Sequence, residues 1–285
     1  MTQGSPTHGS PTHGSPQGRA EDDATPSGLD TTVAHQARIY DYWLGGKDNF
    51  EVDREAAEQA IAAYPPILRA VRAQRAFLAR AVRFLAEQGI RQFLDVGTGI
   101  PTANNTHEVA QATAPDARVV YVDNDPMVLA HARALLTSTP QGATAYLDAD
   151  LRDCDTILSG AADLLDFSQP VALLLVGILQ LIPDGDDPHA IVARLVTALP
   201  AGSWLAIYHP ASDVDQHRVG EAVRRVNAQS ASPTTLRTHE EIARFFDGLD
   251  LLEPGLVQVH RWQPGSIALA YGDQIAAYAG LARKP

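Results

Sequence analysis

Five short apolar runs, each followed by a stretch of helical spacing, constrain this chain more than any other feature. They fall at residues 91–96, 118–123, 144–148, 171–176 and 203–208. Strands separated by helices cannot pair as tight hairpins. They cross over and pair in parallel, with right-handed connections. The run "VALLLVGIL" (171–179) is apolar throughout, the pattern of a strand buried on both faces. The alternation predicts an α/β fold built on a doubly wound, mostly parallel sheet. With 285 residues and a hydrophobic fraction of 45%, the chain can fill one large core.

The two ends depart from this pattern. Residues 4–16 repeat GSPTH and bury almost nothing, so residues 1–30 are expected to form a disordered Gly/Ser/Pro/His tail. Residues 31–90 read as an N-terminal helical extension. Its helices are expected at 32–44, stopped by Gly45-Gly46, at 53–63, broken by Pro65-Pro66, and at 67–88, stopped by Gly89. Residues 91–285 form the sheet domain. Near its end, Thr238 and Glu241 make a capping box ahead of Ile242, Phe245 and Phe246. The segment 256–262 then pairs with 267–271 or 276–283, the second being preferred, as a closing antiparallel hairpin.

Charge and cysteine content narrow the function. A net charge of -12 argues against general nucleic-acid binding. One cysteine, Cys154, fits a cytoplasmic protein without disulfides. No export signal is visible, and no apolar run reaches the roughly 20 residues of a membrane helix. The histidines are scattered, so no metal site is expected.

Chemistry concentrates in "FLDVGTGIP" (93–101), a strand entering a glycine turn. Open parallel sheets bind ligands at such a turn. Gly97 and Gly99 permit positive φ and close approach to the backbone. A dinucleotide fingerprint would place a third glycine at Thr102, and Pro101 removes a backbone donor that pyrophosphate would use. Asp95 disfavours phosphate further. At about 4 Å and an effective dielectric of about 20, a carboxylate meets a unit charge with roughly 4 kcal/mol of either sign. The ligand is therefore expected to be cationic. Asp123, closing the second run, suits ribose hydroxyls, and "DADLRD" (148–153) offers a carboxylate for an adenine amino group. Both acids also read as ordinary exposed turns.

Several stretches, in order and spacing, carry a family resemblance. They are "ARIYDYWLGGKDNF", "FLDVGTGIPTANNTHEVAQ", "VVYVDNDPMVLAHARALL", "DADLRD", "FFDGLDLLEPGL" and "YAGLARKP". The sequence resembles the class I S-adenosylmethionine-dependent methyltransferases. More narrowly, it resembles a bacterial family of S-adenosyl methyltransferases first described as a domain of unknown function. The resemblance implies a Rossmann-like sheet of seven strands and S-adenosyl-L-methionine as cofactor. It places Asp95, Gly97, Thr98 and Gly99 at the methionine part, Asp123 with Asn124 at the ribose, and Asp150 with Leu151 at the adenine.

Tyr40, Trp43 and Asn49 are candidate lid residues over a small-molecule acceptor, though the same segment also reads as a simple packing helix. His209, just past the fifth run, is the candidate general base. The acceptor and the oligomeric state are not legible. An NAD-type oxidoreductase and a non-catalytic cofactor-binding regulator stand as alternatives.

Overall fold

Why the apolar runs become one sheet is visible in their burial: every residue of β1 (Gln92–Val96) and β4 (Ala172–Val176) is buried. Such strands need neighbours on both edges and helices on both faces. In a computed structural model describing residues 1–2, 30–102, 104–135, 137–262 and 275–285, they have both. The pentapeptide repeat and the 267–271 pairing alternative lie outside the described residues.

The remaining parallel strands are β2 (Arg118–Asp123), β3 (Ala143–Asp148) and β5 (Trp204–Pro210). Three later segments run antiparallel: β6 (Asp250–Leu251), β7 (Val257–Gln258) and β8 (Ala277–Arg283). The order is β3-β2-β1-β4-β5-β8-β6, with β7 also paired to β8. Among the described residues the sheet therefore has eight strands, one more than the seven expected, because the segment before β8 contributes two short strands rather than one. β1 lies between β2 and β4, so chain direction across the sheet reverses beside it. This switch point is where the glycine turn emerges.

Among the described residues, three helices precede the sheet: α1 (Gln36–Leu44), α2 (Glu51–Ala63) and α3 (Ile67–Glu87). α1 starts four residues later than expected. Ala34 bridges to Ser230, and His35, in extended conformation, is the N-cap residue. The Gly45 turn ends α1 in the left-handed region at φ 84°. Arg38 and Asp53, both buried, pair at 3.1 Å and tie α1 to α2.

α4 (Thr106–Thr113), α5 (Pro126–Leu135), α6 (Cys154–Ala161) and α7 (Pro188–Ala198) provide crossovers, and α8 (Gln216–Asn227) and α9 (His239–Ala243) follow β5. The expected capping box of α9 forms through Thr238 and Glu241. α3 does not stand apart from the sheet. Its Phe77, Leu78, Val82 and Leu85 join Phe93, Val119 and Leu174 in the core of one face. Phe77 meets Trp262 edge-on at 5.0 Å. Each such side chain contributes about 1.5–3 kcal/mol on burial. α1, α2 and α8 instead share a separate apolar cluster that includes Ile39, Trp43, Ala57 and Val219. The segment read as one extension thus splits between two packing roles.

Candidate active site

A cleft of about 510 Å³ opens over the carboxyl ends of the strands, within the range of roughly 300–1,000 Å³ common for small-molecule sites. Its wall follows the sheet order. Asp150 and Leu151 stand after β3, Asp123 and Asn124 at the end of β2, and Asp95 through Gly99 at the end of β1. Gly177 and Ile178 follow β4, and Tyr208 and Pro210 belong to β5. All eight cofactor candidates read from the sequence line this one cleft.

The glycine turn is held from β2. The Gly97 N–H donates to the Val122 carbonyl at 2.8 Å, and the Gly99 N–H donates to Asp123 Oδ2 at 2.9 Å. Both glycines have positive φ, 76° and 65°. A Cβ on Gly97 would lie 2.5 Å from the Ile178 Cβ, so this position admits nothing larger. A Cβ on Gly99 would meet nothing within 4 Å, which leaves open space for a ligand against the backbone. Thr98 also faces the cleft.

Asp123 Oδ1 accepts the Asp125 N–H at 3.0 Å. Burial raises the Asp123 pKa, while these two N–H groups oppose the shift. A carboxylate offers about four lone-pair sites, so two acceptor positions remain for ligand hydroxyls. Asp95 is 5% exposed, and its Oδ2 accepts the Thr106 hydroxyl at 2.6 Å. Burial pushes its pKa up to about 6, with Thr106 and Arg75 pulling the other way. Asp150 accepts from Asn124 Nδ2 at 3.0 Å and from Arg152, whose Nε in turn pairs with Asp186 at 2.7 Å. These donors hold the 148–153 segment at the cleft rim.

Two cleft residues, Arg75 and His35, are not singled out in the sequence. Arg75 of α3 faces the cleft close enough to Asp95 to lower its pKa. His35 Nδ1 lies 2.7 Å from Asp125 Oδ2. Burial alone would raise the Asp125 pKa, yet His35 and the Met127 N–H hold it below the usual value. Neither residue leaves a local signature: an arginine in an amphipathic helix and a histidine before one are ordinary.

Tyr40 and Trp43 line the cleft from α1. The Tyr40 hydroxyl donates to the Val71 carbonyl at 3.2 Å, and Trp43 Nε1 donates to the Ala57 carbonyl at 3.3 Å. Asn49 is not in the cleft wall. Its Nδ2 donates to Asp41 Oδ2 at 2.9 Å and to the Gly46 carbonyl at 3.1 Å, which fixes the loop after α1.

His209 also lies outside the cleft and is fully buried. Its Nδ1 is 2.8 Å from the Pro210 carbonyl, and its Nε2 is 2.8 Å from Arg237 Nη1. A carbonyl acceptor on one side and a guanidinium donor on the other fix the neutral Nδ1–H tautomer. Burial, with Arg237 adding to it, lowers the pKa to about 3. A general base needs a lone pair facing the acceptor, and His209 has none to spare. Its place is structural: with it, Arg237 binds the carbonyls of Leu179 and Ile182 and so shapes the loop after β4. Among the described residues, no three His, Cys, Asp or Glu side chains gather into a metal site.

Sheet order, switch-point turn and the acids at the end of β2 and just after β3 define the class I methyltransferase architecture. The solved structures agree. A DUF574 family protein from Streptomyces avermitilis is 48% identical, with a TM-score of 0.86 over 90% of this chain and 99% of its own. A proposed methyltransferase from Thermobifida fusca is 40% identical, with a TM-score of 0.81 over 92% of this chain and 99% of its own. No curated protein matches the chain. The chain belongs to the S-adenosyl methyltransferase family, whose model matches residues 22–285. It is an S-adenosylmethionine-dependent methyltransferase.

Proposed function

We propose that the cleft seats S-adenosylmethionine along the sheet order, with a small molecule as the methyl acceptor. In this reading the adenine lies between Asp150 and Leu151, the ribose hydroxyls donate to Asp123, and Gly97, Thr98 and Gly99 approach the methionine part. Asp95 faces the cationic end, and Arg75 receives the carboxylate. The supporting observation is Asp123 itself: a half-buried carboxylate in the cleft wall that fixes the glycine turn and keeps acceptor capacity in hand.

When bound, the cofactor supplies an activated methyl group with a good leaving group, so the protein's task is placement. Asp95 contributes the favourable sign of charge, a matter of roughly 4 kcal/mol at about 4 Å and an effective dielectric of about 20. Tyr40 and Trp43 shield the reaction from water. Asn49 supports them indirectly by holding the loop after α1. No proton relay through His209 is needed.

The net charge of -12 favours a small-molecule acceptor over nucleic acid. Among the described residues no helix is long and apolar enough to cross a membrane. A cytoplasmic, bacterial setting belongs to the same reading, supported by the unpaired Cys154 and the bacterial relatives. Calorimetry with S-adenosylhomocysteine and with NAD tests the proposal. One-to-one binding of the first and none of the second is expected. Tight NAD binding in the same cleft would overturn it.

A further inference from the structure

The cleft is electrically lopsided. His35, Arg75, Asp95, Asp123, Asp150 and Arg152, its charged and titratable lining groups apart from tyrosine hydroxyls, come from the β1-β2-β3 side or from the helices above it. Beyond β4 the wall changes. Tyr208 and Pro210 of β5, Tyr64 and Val71 beside α1, and Val219 and Ala222 of α8 continue the same cavity. Among the described residues no Asp, Glu, Lys, Arg or His lines this arm. Arg218 lies over the Tyr64 ring at 5.8 Å but is not part of the cleft wall.

The polar groups of the arm are uncharged hydroxyls. The Tyr40 hydroxyl is bonded to the Val71 carbonyl and the Tyr64 hydroxyl accepts the Ala276 N–H. Burial raises the pKa of Tyr40, Tyr64 and Tyr208, so none of the three ionises near neutral pH. An anion placed here would lose its water and meet no cation to offset that cost. A protonated amine would find no carboxylate and no base to take its proton. A flat apolar ring would gain by burial and by contact with Trp43, Tyr64 and Tyr208.

Resting on the cofactor assignment above, we infer that the acceptor is an uncharged aromatic or heteroaromatic small molecule that reacts through an atom already nucleophilic when neutral, such as a ring or aryl nitrogen. The lone pair of that atom forms the bond to the methyl carbon as the sulfur–carbon pair returns to sulfur. Unit positive charge then passes to the acceptor, and any proton on the reacting nitrogen leaves to solvent. The aromatic walls of the arm suit that charge as it develops.

Calorimetry on the protein saturated with S-adenosylhomocysteine tests this with probes of one shape and different charge. Quinoline and indole are the neutral rings, and quinaldate is the anion. Quinoline is expected to bind at least about tenfold more tightly than quinaldate. Val223 lines the arm from α8 and is half-buried, so a lysine there introduces a cation. Val223→Lys should reverse the order of quinoline and quinaldate while affinity for S-adenosylhomocysteine stays unchanged, which also reports an intact fold. Quinaldate binding the wild-type protein as tightly as quinoline would overturn the inference. So would failure of both neutral rings to bind, or an unreversed order in Val223→Lys. Failure of S-adenosylhomocysteine itself to bind is a separate result, and removes the cofactor assignment underneath.

Discussion

The Gly99 N–H donates to Asp123 Oδ2 at 2.9 Å, so the last residue of β2 holds the turn that leaves β1. One carboxylate thereby shapes the turn and faces the cleft. Asp123→Ala should weaken S-adenosylhomocysteine binding by about 1.5–3 kcal/mol, the range for hydrogen bonds to a charged group. Asp123→Asn keeps one carbonyl oxygen and should fall between. Equal dissociation constants for the wild-type protein and Asp123→Ala, measured by calorimetry, would remove the ribose assignment.

Asp95 couples pH to stability. Its carboxyl ionises near 3.8 when unfolded and near about 6 when folded, so the folded state holds the proton more tightly. The resulting stabilisation is fully present below 3.8 and is lost as pH rises through about 6. Above that, the ionised carboxylate costs the ligand-free protein about 3 kcal/mol relative to its protonated form. Asp95→Asn removes this cost, less the roughly 1 kcal/mol of a weakened Thr106 bond. Urea denaturation at pH 7.5 should find the variant more stable than wild type, although its cofactor affinity is lower. A variant less stable at pH 7.5 would mean that the carboxylate is better partnered than its geometry indicates.

Gly97→Ala faces two separate obstacles. The position has φ 76°, and the new methyl would sit 2.5 Å from the Ile178 Cβ. The backbone term alone costs roughly 1–2 kcal/mol. Ile178→Ala cannot remove a contact at Cβ, but it frees the remaining side chain to yield. The double variant should therefore recover part, not all, of the lost melting temperature. Full tolerance of Gly97→Ala would show that the turn adopts another conformation.

His209 predicts acid sensitivity without catalysis. An unfolded histidine protonates near 6.5, whereas the folded one resists to about 3. The stability it confers is present above 6.5 and is lost as pH falls towards 3, by up to about 1.4 kcal/mol per pH unit. His209→Gln should flatten that slope in denaturation curves between pH 7 and pH 4. The pH dependence of turnover, once an acceptor is in hand, should be unaltered. An activity pKa that vanishes in His209→Gln would restore the histidine as a base.

Those contrasts explain what the sequence discloses. β2 begins and ends at the expected residues, β1, β3 and β4 differ by one residue at their start, and β5 is shifted by one at its start and two at its end. Their burial on both faces makes the apolar runs continuous and hence legible. The glycine turn is readable because positive φ is a local demand. Arg75 and the apolar wall of α8 are not readable. Helical periodicity specifies which face is buried, but not which cavity that face meets. Asn49 and His209 misled for a related reason: each looks like an exposed polar residue near a functional edge. Their partners, Asp41 and Arg237, are set by the fold, and Arg237 lies 28 positions from His209.

β8 comes after β6 and β7 in the sequence but lies between β5 and β6 in the sheet. On the ribosome, β5 must therefore keep one edge bare until that later segment emerges. A nascent chain halted before β8 would offer this edge to other strands, making translation arrest in the interval a point of aggregation risk.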